Sequence, residues 1–415
     1  DIAGLSVNDS ILGDMEIVVF GNNDLTEFGV NTWLLDDGLE RFSVSGKVNN
    51  DQSGTTLDLL AAFDDFDLRP FAPLGEDIIS NIRGYLSGTT RITGNAESPS
   101  FNGVLTLNDA GLGIPYLNVD YDFAPLSRVQ LFDQTFYFDN IGLSDVAYGT
   151  QANLEGSISH KAFDDWSLSL NLDTSNDRFL ILNTEFDEEE LYYGTGFVNG
   201  TGTIYGPTTG LNIEFEGSSA RGTQLKIPLS DVTSVGDYSF IDFVEKDGKK
   251  TLEGERVLED YQGLELVFDI AVTPDAEVEI VVDRENGSSL KGTGEGLLLM
   301  EINTNGKFNM YGEFVVVTGQ YRYRLGGLSD KTFRVRPGGT ILWEGDPLSA
   351  TLNLDAVYAL NANPAPLLDT AQGITRRIPT EEVVRLDGEL ESPTIDIDIE
   401  FPGTSSVFKS ELEYR

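Results

Sequence analysis

Residues 297–317 read LLLMEINTNGKFNMYGEFVVV, two apolar segments on either side of an Asn-Gly pair. Apolar and polar residues alternate through much of both segments, which predicts two strands that each have one apolar face. An Asn-Gly pair between such segments is a strong signal for the turn of a β-hairpin. This stretch therefore predicts an antiparallel hairpin with one buried face.

The length of the loop sets the register of this hairpin. A two-residue loop would place Ile302 opposite the polar Asn309, whereas a three-residue loop, residues 304–306, places Ile302 opposite Phe308. A slip of one residue would move every apolar side chain to the other face of the sheet. We therefore predict the three-residue loop, with Gly306 in the left-handed conformation that it requires. The same register pairs Met300 with Met310 and Leu298 with Gly312.

The apolar positions change parity along the second strand. Phe314 and Val316 occupy even positions, whereas Tyr321, Tyr323 and Leu325 occupy odd ones. Since successive side chains of a strand point to opposite faces, this change predicts a β-bulge or tight bend at residues 317–319.

The rest of the chain repeats the alternating pattern of this hairpin. Apolar residues alternate with polar ones at residues 119–123, 168–172, 352–358 and 395–401, and Gly-containing turn pairs separate many of the segments. Short helices are predicted only at residues 77–87, 380–385 and 405–412. None of them is long enough to cover a sheet. The pattern indicates an all-β protein, either a filled sandwich or barrel or a curved antiparallel sheet that folds on itself around a groove.

Composition excludes several classes of function. The 415 residues include 27 Lys+Arg and 69 Asp+Glu, a net charge of −42, with one His and no Cys. So much negative charge disfavours binding to nucleic acid and to anionic bilayers. The lack of cysteine removes disulfides, thiolate nucleophiles and Cys-ligated zinc. No apolar run approaches the roughly 18 residues of a membrane-spanning helix.

Candidate catalytic and ligand-binding groups are few. His160 has no accompanying G-x-S-x-G motif, so we interpret it as a histidine on the polar face of a strand. The glycines of residues 292–296 lead into a strand, whereas a phosphate-binding loop would lead into a helix. Two carboxylate pairs each share one face of a strand and are interpreted as solvated: Asp120 with Asp122, and Asp396 with Asp398. We expect no enzymatic activity, no metal site and no cofactor.

Residues 319–347 carry a longer motif of spaced glycines and aromatic residues. They contain G-x-Y-x-Y-x-L, then K-x-F-x-V, then G-G-x-I-x-W-x-G-D-P, and residues 388–402 add a Gly- and Ile-rich segment that ends in Phe-Pro. This pattern resembles the C-terminal domain of the TamB family of bacterial envelope proteins. Short segments at residues 179–184, 193–194, 206–207, 227–229 and 240–243 resemble the version found in Bacteroidota. The resemblance covers most of the chain and is weakest over residues 1–51.

The resemblance implies a fold, a location and partners. TamB-like proteins form a long β-sheet folded like a taco, span the periplasm from an N-terminal inner-membrane anchor, and dock on an outer-membrane barrel of the Omp85 superfamily, TamA-like. They are thought to conduct phospholipid along an apolar groove. The alternative is a scaffold for assembling outer-membrane proteins by strand addition. A glycan-processing or adhesive β-protein stays open as a third function.

On this basis the chain divides into a sheet segment (1–244), a charged loop (245–262) and the TamB-type domain (263–415), which ends in the possible helix at 405–412. The residues expected to line the groove are Leu298, Met300, Ile302, Phe308, Met310, Phe314, Val316, Tyr321, Tyr323, Leu325, Phe333, Val335, Ile341, Trp343, Leu352, Leu354, Tyr358, Ile395, Ile397 and Ile399. Structural turn positions are expected at Gly306, Gly319, Gly345, Asp346 and Pro347, with Asp346 bonding to the local backbone rather than acting in catalysis.

Overall fold

Strands occupy most of the protein, whose structure here is a computed structural model. It describes residues 1–8, 10–52, 54–70, 79–174, 177–187, 192–228, 263–283, 287–325, 329–363, 377–390 and 392–403. The strands of the first half are β1 Ile2–Val7, β2 Ser10–Gly21, β3 Glu27–Asp36, β4 Leu39–Asp51, β5 Gly54–Asp67, β6 Ser80–Asn95, β7 Ser98–Ile114, β8 Val119–Phe123, β9 Ser127–Asp133, β10 Thr135–Asp145, β11 Gln151–Lys161 and β12 Asp164–Asp173.

The strands of the second half are β13 Phe179–Thr184, β14 Tyr193–Pro207, β15 Gly210–Ser219, β16 Gln224–Pro228, β17 Gly263–Val272, β18 Glu277–Asp283, β19 Ser288–Asn303, β20 Phe308–Leu325, β21 Ser329–Val335, β22 Thr340–Gly345, β23 Thr351–Ala362, β24 Ile378–Glu389 and β25 Thr394–Glu400. The helical elements among the described residues are all 3₁₀: the turns Pro115–Leu117 and Pro347–Ser349, and residues 69–70. The prediction of an all-β fold is confirmed.

All the described strands belong to one continuous sheet. Most neighbours in space are neighbours in the chain and run antiparallel, as predicted. Two pairings are parallel, β15 with β17 and β16 with β18. A parallel pairing needs a connection of about a dozen residues or more, and residues 229–262 separate β16 from β17.

A line of interruptions crosses the strands of the second half. Long strands such as β14, β19 and β20 run across this line, whereas their neighbours are split into collinear pairs: β12 and β13, β15 and β16, β17 and β18, and β22 and β21. At one break the Thr273 backbone N–H donates to Ser219 Oγ over 2.9 Å, which replaces a missing ladder bond. Breaks and bulges bend strands, so one face of the sheet becomes concave along this line.

The predicted register of the β19–β20 hairpin is confirmed. Ile302 lies opposite Phe308 and Met300 opposite Met310, and Gly306 has a φ of +88° in the loop. The predicted bulge is also present. Thr293 pairs with Thr318 and Gly294 with Val316, so Val317 is the extra residue. At that point the neighbour of β20 changes from β22 to β21.

Two of the three predicted helices are wrong. Residues 80–87 belong to β6, and residues 380–385 belong to β24. Each of these strands is hydrogen-bonded to a neighbour on both sides, and β-branched residues such as Val383 and Val384 suit that arrangement. Pairing within the sheet outweighs local helix propensity at both places. The third predicted helix, 405–412, and the charged loop, 245–262, lie outside the described residues.

The buried core is concentrated in the second half of the sheet. Its main cluster includes Leu117, Phe179, Leu264, Met310 and Leu386 and therefore draws on strands from β8 to β24. Two smaller clusters lie around Phe101 and Leu143. Towards the N-terminus the apolar side chains lose their cover, as Ile11 is 76% exposed and Phe20 61%. The apolar face of the sheet is thus buried most completely in the C-terminal half of the chain.

Truncating one leucine on each face of the sheet tests which face is the core. Leu354 is 1% exposed and Leu342 is 37% exposed. We expect Leu354→Ala to lower the free energy of unfolding by about 2–5 kcal/mol, because it leaves a cavity. Leu342→Ala should cost less than about 1 kcal/mol. Urea or thermal unfolding measures both changes. An equal loss of unfolding free energy in the two variants would contradict the assignment of the concave face as the core.

Candidate functional site: an apolar interior

Three cavities follow one another along the concave face of the sheet. The first has a volume of about 160 Å³ and is walled by strands from β7 to β17, with Leu170, Ile204 and Leu264 among its lining residues. The second, of about 130 Å³, is walled by strands from β13 to β22. The third, of about 20 Å³, lies among β18 to β22. The cavities therefore run in the order of the strands, across the strand direction.

Neighbouring cavities share walls. Leu117, Ile181 and Phe268 line both the first and the second cavity. Val278, Phe314 and Trp343 line both the second and the third. The linings are almost wholly aliphatic and aromatic, so the cavities form one interrupted apolar path. The interruptions are single layers of side chains.

The sizes of the cavities indicate what they can hold. A cavity of about 150 Å³ lined by Leu, Ile and Phe stays dry and accepts a benzene-sized apolar group. The first two cavities, of about 160 and 130 Å³, are of this kind. The third has room for little more than one water molecule. Protein side chains thus fill most of the interior and leave two gaps for apolar groups.

The predicted groove residues fall into three sets. Those that line the second or third cavity are Leu298, Met300, Ile302, Phe308, Met310, Phe314, Val316, Val335, Ile341 and Trp343. The second set lies away from the three cavities: Phe333, Leu352 and Leu354 are buried, and Tyr321 and Tyr358 are half-buried. Tyr323 is 37% exposed. Leu325 ends β20. The predicted residues of β19 to β22 therefore lie together around the second and third cavities. Leu352 and Leu354 of β23 are buried in the packed core beside them.

Strand β25 departs from the predicted arrangement. Ile395, Ile397 and Ile399 do share one face, but they are 59%, 64% and 45% exposed. Within the described residues β25 pairs only with β24, and no other element covers this face. The prediction that these three isoleucines share one face is confirmed. The expectation that this face lines the groove is wrong, because no other described element packs against it.

The larger cavity lies outside the predicted groove. It is lined by Leu168, Leu170 and Leu172 of β12, together with residues of β7, β14, β15 and β17. The alternation of these three leucines is visible in the sequence. It predicts an apolar face, but it does not show that this face borders a gap.

The turn at residues 345–347 has the predicted structural role. Asp346 caps the Pro347–Ser349 turn, since its Oδ1 accepts a 2.9 Å hydrogen bond from the Leu348 backbone N–H. Trp343 Nε1 donates to the Pro347 carbonyl over 3.1 Å, which fixes the indole that separates the second cavity from the third. The other predicted glycine, Gly319, lies in regular pairing two residues after the bulge, close to Val335.

His160 lies inside the sheet, which corrects the interpretation as a polar-face residue. It is 4% exposed and packs against the rings of Phe136, Phe163 and Trp166, with centroids 4.6–5.6 Å away. Its Nδ1 accepts a hydrogen bond from the Phe163 backbone N–H over 2.9 Å. Burial lowers its pKa, and the nearby carboxylate of Asp133 partly opposes this shift. A neutral imidazole is therefore part of an aromatic cluster at the β11–β12 turn.

The carboxylate pairs face cations of the sheet surface. Asp120 and Asp122 both contact Arg83, at 3.4 and 2.5 Å, and Asp398 contacts Arg385 at 3.2 Å. No group of three or more His, Asp or Glu side chains in the described part of the chain is placed to hold a metal ion. Asp120, Asp122 and Asp398 are thus members of surface ion pairs.

Comparison with known families agrees with this architecture. The model of the TamB C-terminal domain matches residues 140–413, about two thirds of the chain. The chain belongs to the TamB family. TamB-type proteins take part in building the bacterial envelope, together with TamA-like partners. No match to an individual curated protein was found. Among the described residues of this TamB-family chain, no helix is both long and apolar enough to cross a membrane.

The matched residues include the whole lining of the third cavity, the lining of the second except Leu117, and most of the lining of the first. Strands β1 to β9 precede the match, although β7 and β8 contribute residues to the lining of the first cavity. Most of the apolar interior thus belongs to the TamB-type portion of the chain.

Removing the cap of the 345–347 turn should affect stability alone. We expect Asp346→Ala to lower the free energy of unfolding by about 1 kcal/mol, because the Leu348 N–H loses its acceptor. Asp346→Asn keeps an acceptor and should lose less. A variant of full stability that lacks function would contradict this assignment.

The buried histidine should make stability depend on pH. Its pKa is lowered in the folded state and is near 6.5 in the unfolded state, so below that pH the unfolded chain binds more protons. Stability should therefore fall as the pH drops from about 6.5 towards the folded pKa, by at most about 1.4 kcal/mol per pH unit. His160→Asn should lack this component. Urea unfolding of both proteins between about pH 7.5 and about pH 5.5 measures the difference, and parallel profiles of stability against pH would refute the prediction.

Proposed function

We propose that this TamB-family chain conducts phospholipid between the inner and outer membranes, with the acyl chains passing along the apolar interior. In this proposal the protein spans the periplasm from an inner-membrane anchor to an outer-membrane barrel of the Omp85 superfamily. The observation that carries the proposal is the series of adjoining apolar cavities, which follows the strand order through the TamB-type portion.

The energetics of lipid transfer favour such an interior. Each methylene moved from water to an apolar environment gains about 0.8 kcal/mol, so a free acyl chain in water carries a barrier above about 10 kcal/mol. Side chains such as Leu170, Ile213 and Phe268 offer the acyl chain apolar contacts within the first cavity. No specific polar recognition is needed for this part of the lipid.

The surface of the protein suits this role. The net charge of −42 keeps the sheet soluble and away from anionic membrane surfaces. Polar headgroups gain nothing from linings made of Leu, Ile, Val and Phe and are expected to stay in water. The proposal therefore divides each phospholipid between an apolar interior and the solvent.

Filling the first cavity tests the proposal. Ile213 lines this cavity and is only partly buried, so Ile213→Trp should fill the space and block an acyl chain without unfolding the sheet. Leu342→Trp, on the other face and 37% exposed, is the matched control. Phospholipid extracted from the purified full chain should fall severalfold in the first variant and stay unchanged in the second.

Two outcomes of this mass-spectrometric measurement would count against a conduit. One is wild-type protein that carries no phospholipid after purification from cells. The other is equal loading of Ile213→Trp and wild type at equal thermal stability. A thermal melt of each variant shows whether it is folded. It therefore distinguishes a blocked cavity from a loss of phospholipid that is caused by unfolding.

A second candidate function rests on strand β25. Its isoleucines are exposed and its only described partner is β24, so it presents an apolar strand for addition to a nascent barrel protein. Arg336 ties the end of β25 to the sheet through Glu400 at 2.7 Å and Glu381 at 3.3 Å. Under this function Ile397→Asp would abolish capture of a barrel protein and leave lipid loading unchanged.

A further inference from the structure

The wall between the first and second cavities consists of three side chains from three different elements. Leu117 comes from the Pro115–Leu117 turn, Ile181 from β13 and Phe268 from β17. All three line both cavities. An alkyl chain longer than one cavity must pass between them.

Leu117 and Ile181 both sit on irregular backbone. The turn that carries Leu117 ends at Asn118, which has a left-handed φ of 50° and donates its N–H to the Pro115 carbonyl over 2.9 Å. Ile181 is the extra residue of a β-bulge, because Leu180 pairs with Phe197 and Leu182 with Gly196. Bulges redirect side chains, and here the bulge turns Ile181 towards the gap.

Strand β13 is attached to the sheet on one side. Among the described residues it pairs only with β14. Side chains bind its other edge: Tyr121 OH donates to the Leu180 carbonyl over 2.8 Å, Asn118 Nδ2 donates to the Asn183 carbonyl over 2.6 Å, and Thr150 Oγ1 accepts from the Leu180 N–H over 2.9 Å. Three isolated bonds resist opening less than a continuous ladder does.

Phe268 provides the fixed side of the wall. Its strand, β17, is hydrogen-bonded along its length to β15 on one side and to β19 on the other. Phe268 thus lies on a strand that is paired on both sides, whereas Ile181 lies on a strand paired on one side and Leu117 lies in a turn.

We propose that Leu117 and Ile181 form a gate that closes against Phe268 and controls the passage of an alkyl chain between the two cavities. This inference rests on the proposed lipid function. Opening requires displacement of the β13 edge or of the Pro115–Leu117 turn, whereas β17 stays in place. With the gate closed, each cavity holds only a short alkyl segment.

The chain-length dependence of binding tests the gate. Straight-chain primary alcohols are suitable probes because they are neutral and are not repelled by the net charge of −42. Each added methylene that enters an apolar site should raise affinity about fourfold. Calorimetry on the full wild-type chain should show this rise and then a plateau, once one cavity is filled.

Leu117→Ala should join the cavities, so the fourfold increments should continue for alcohols several carbons beyond the wild-type plateau. The matched control is Leu211→Ala, which removes the same atoms from a residue that lines the first cavity alone. In the control the plateau should shift slightly and persist. A plateau that is identical in wild type and Leu117→Ala would overturn the gate, whereas no binding of any alcohol to any protein would overturn the lipid function itself.

Tyr121→Phe provides a second variant that leaves the wall intact. It removes only the hydroxyl that holds the Leu180 carbonyl. Association of long alcohols should become severalfold faster, with short alcohols unaffected. Unchanged rates for long alcohols would contradict the idea that the β13 edge moves, and this readout keeps the gate testable if Leu117→Ala does not fold.

Discussion

The constraint on which the structure depends is the need to shield an extensive apolar sheet face without helices. A sheet of this kind must pack against another layer or curve over itself, since exposed apolar area is costly in water. Here the line of strand breaks through β12 to β22 supplies the bend, and the main core cluster fills the concave side. The bulges at Val317 and Ile181 also contribute to the bend, because each allows a strand to change direction while its neighbours stay paired.

Curvature rather than close packing explains the cavities. In a sandwich, two faces interdigitate and leave few voids larger than a water molecule. A curved sheet presents side chains from many strands to a common interior, and the side chains of successive strands do not fill it evenly. The first two cavities, of about 160 and 130 Å³, are the result. Their linings are almost wholly apolar, so their cost is the loss of dispersion contacts rather than unsatisfied polar groups.

Charge and irregular backbone are distributed around this interior in different ways. Acidic residues occupy the outer face, where cations such as Arg83 and Arg336 contact several carboxylates each. Exposed pairs of this kind add little stability singly, but Arg336 connects three strands at the end of the sheet. Irregular backbone, by contrast, occurs in many strands of the sheet, and one turn and one bulge lie between the first and second cavities. The charged outer face therefore keeps the protein soluble. The Pro115–Leu117 turn and the bulge at Ile181 divide the interior into separate cavities.

The sequence by itself determined the all-β class, the register of the β19–β20 hairpin and its bulge, because side-chain alternation and turn chemistry are local properties. It also determined the family, through the spaced motif of residues 319–347. Tertiary structure decided the rest. Residues 380–385 became a strand because both neighbours offered hydrogen bonds, and His160 became buried because the β11–β12 turn packs its ring among aromatic side chains. Leu168 and Ile395 carry the same alternating signal, yet Leu168 borders the first apolar cavity and Ile395 faces solvent. Alternation fixes which side chains share a face, whereas burial depends on what the curved sheet places opposite that face.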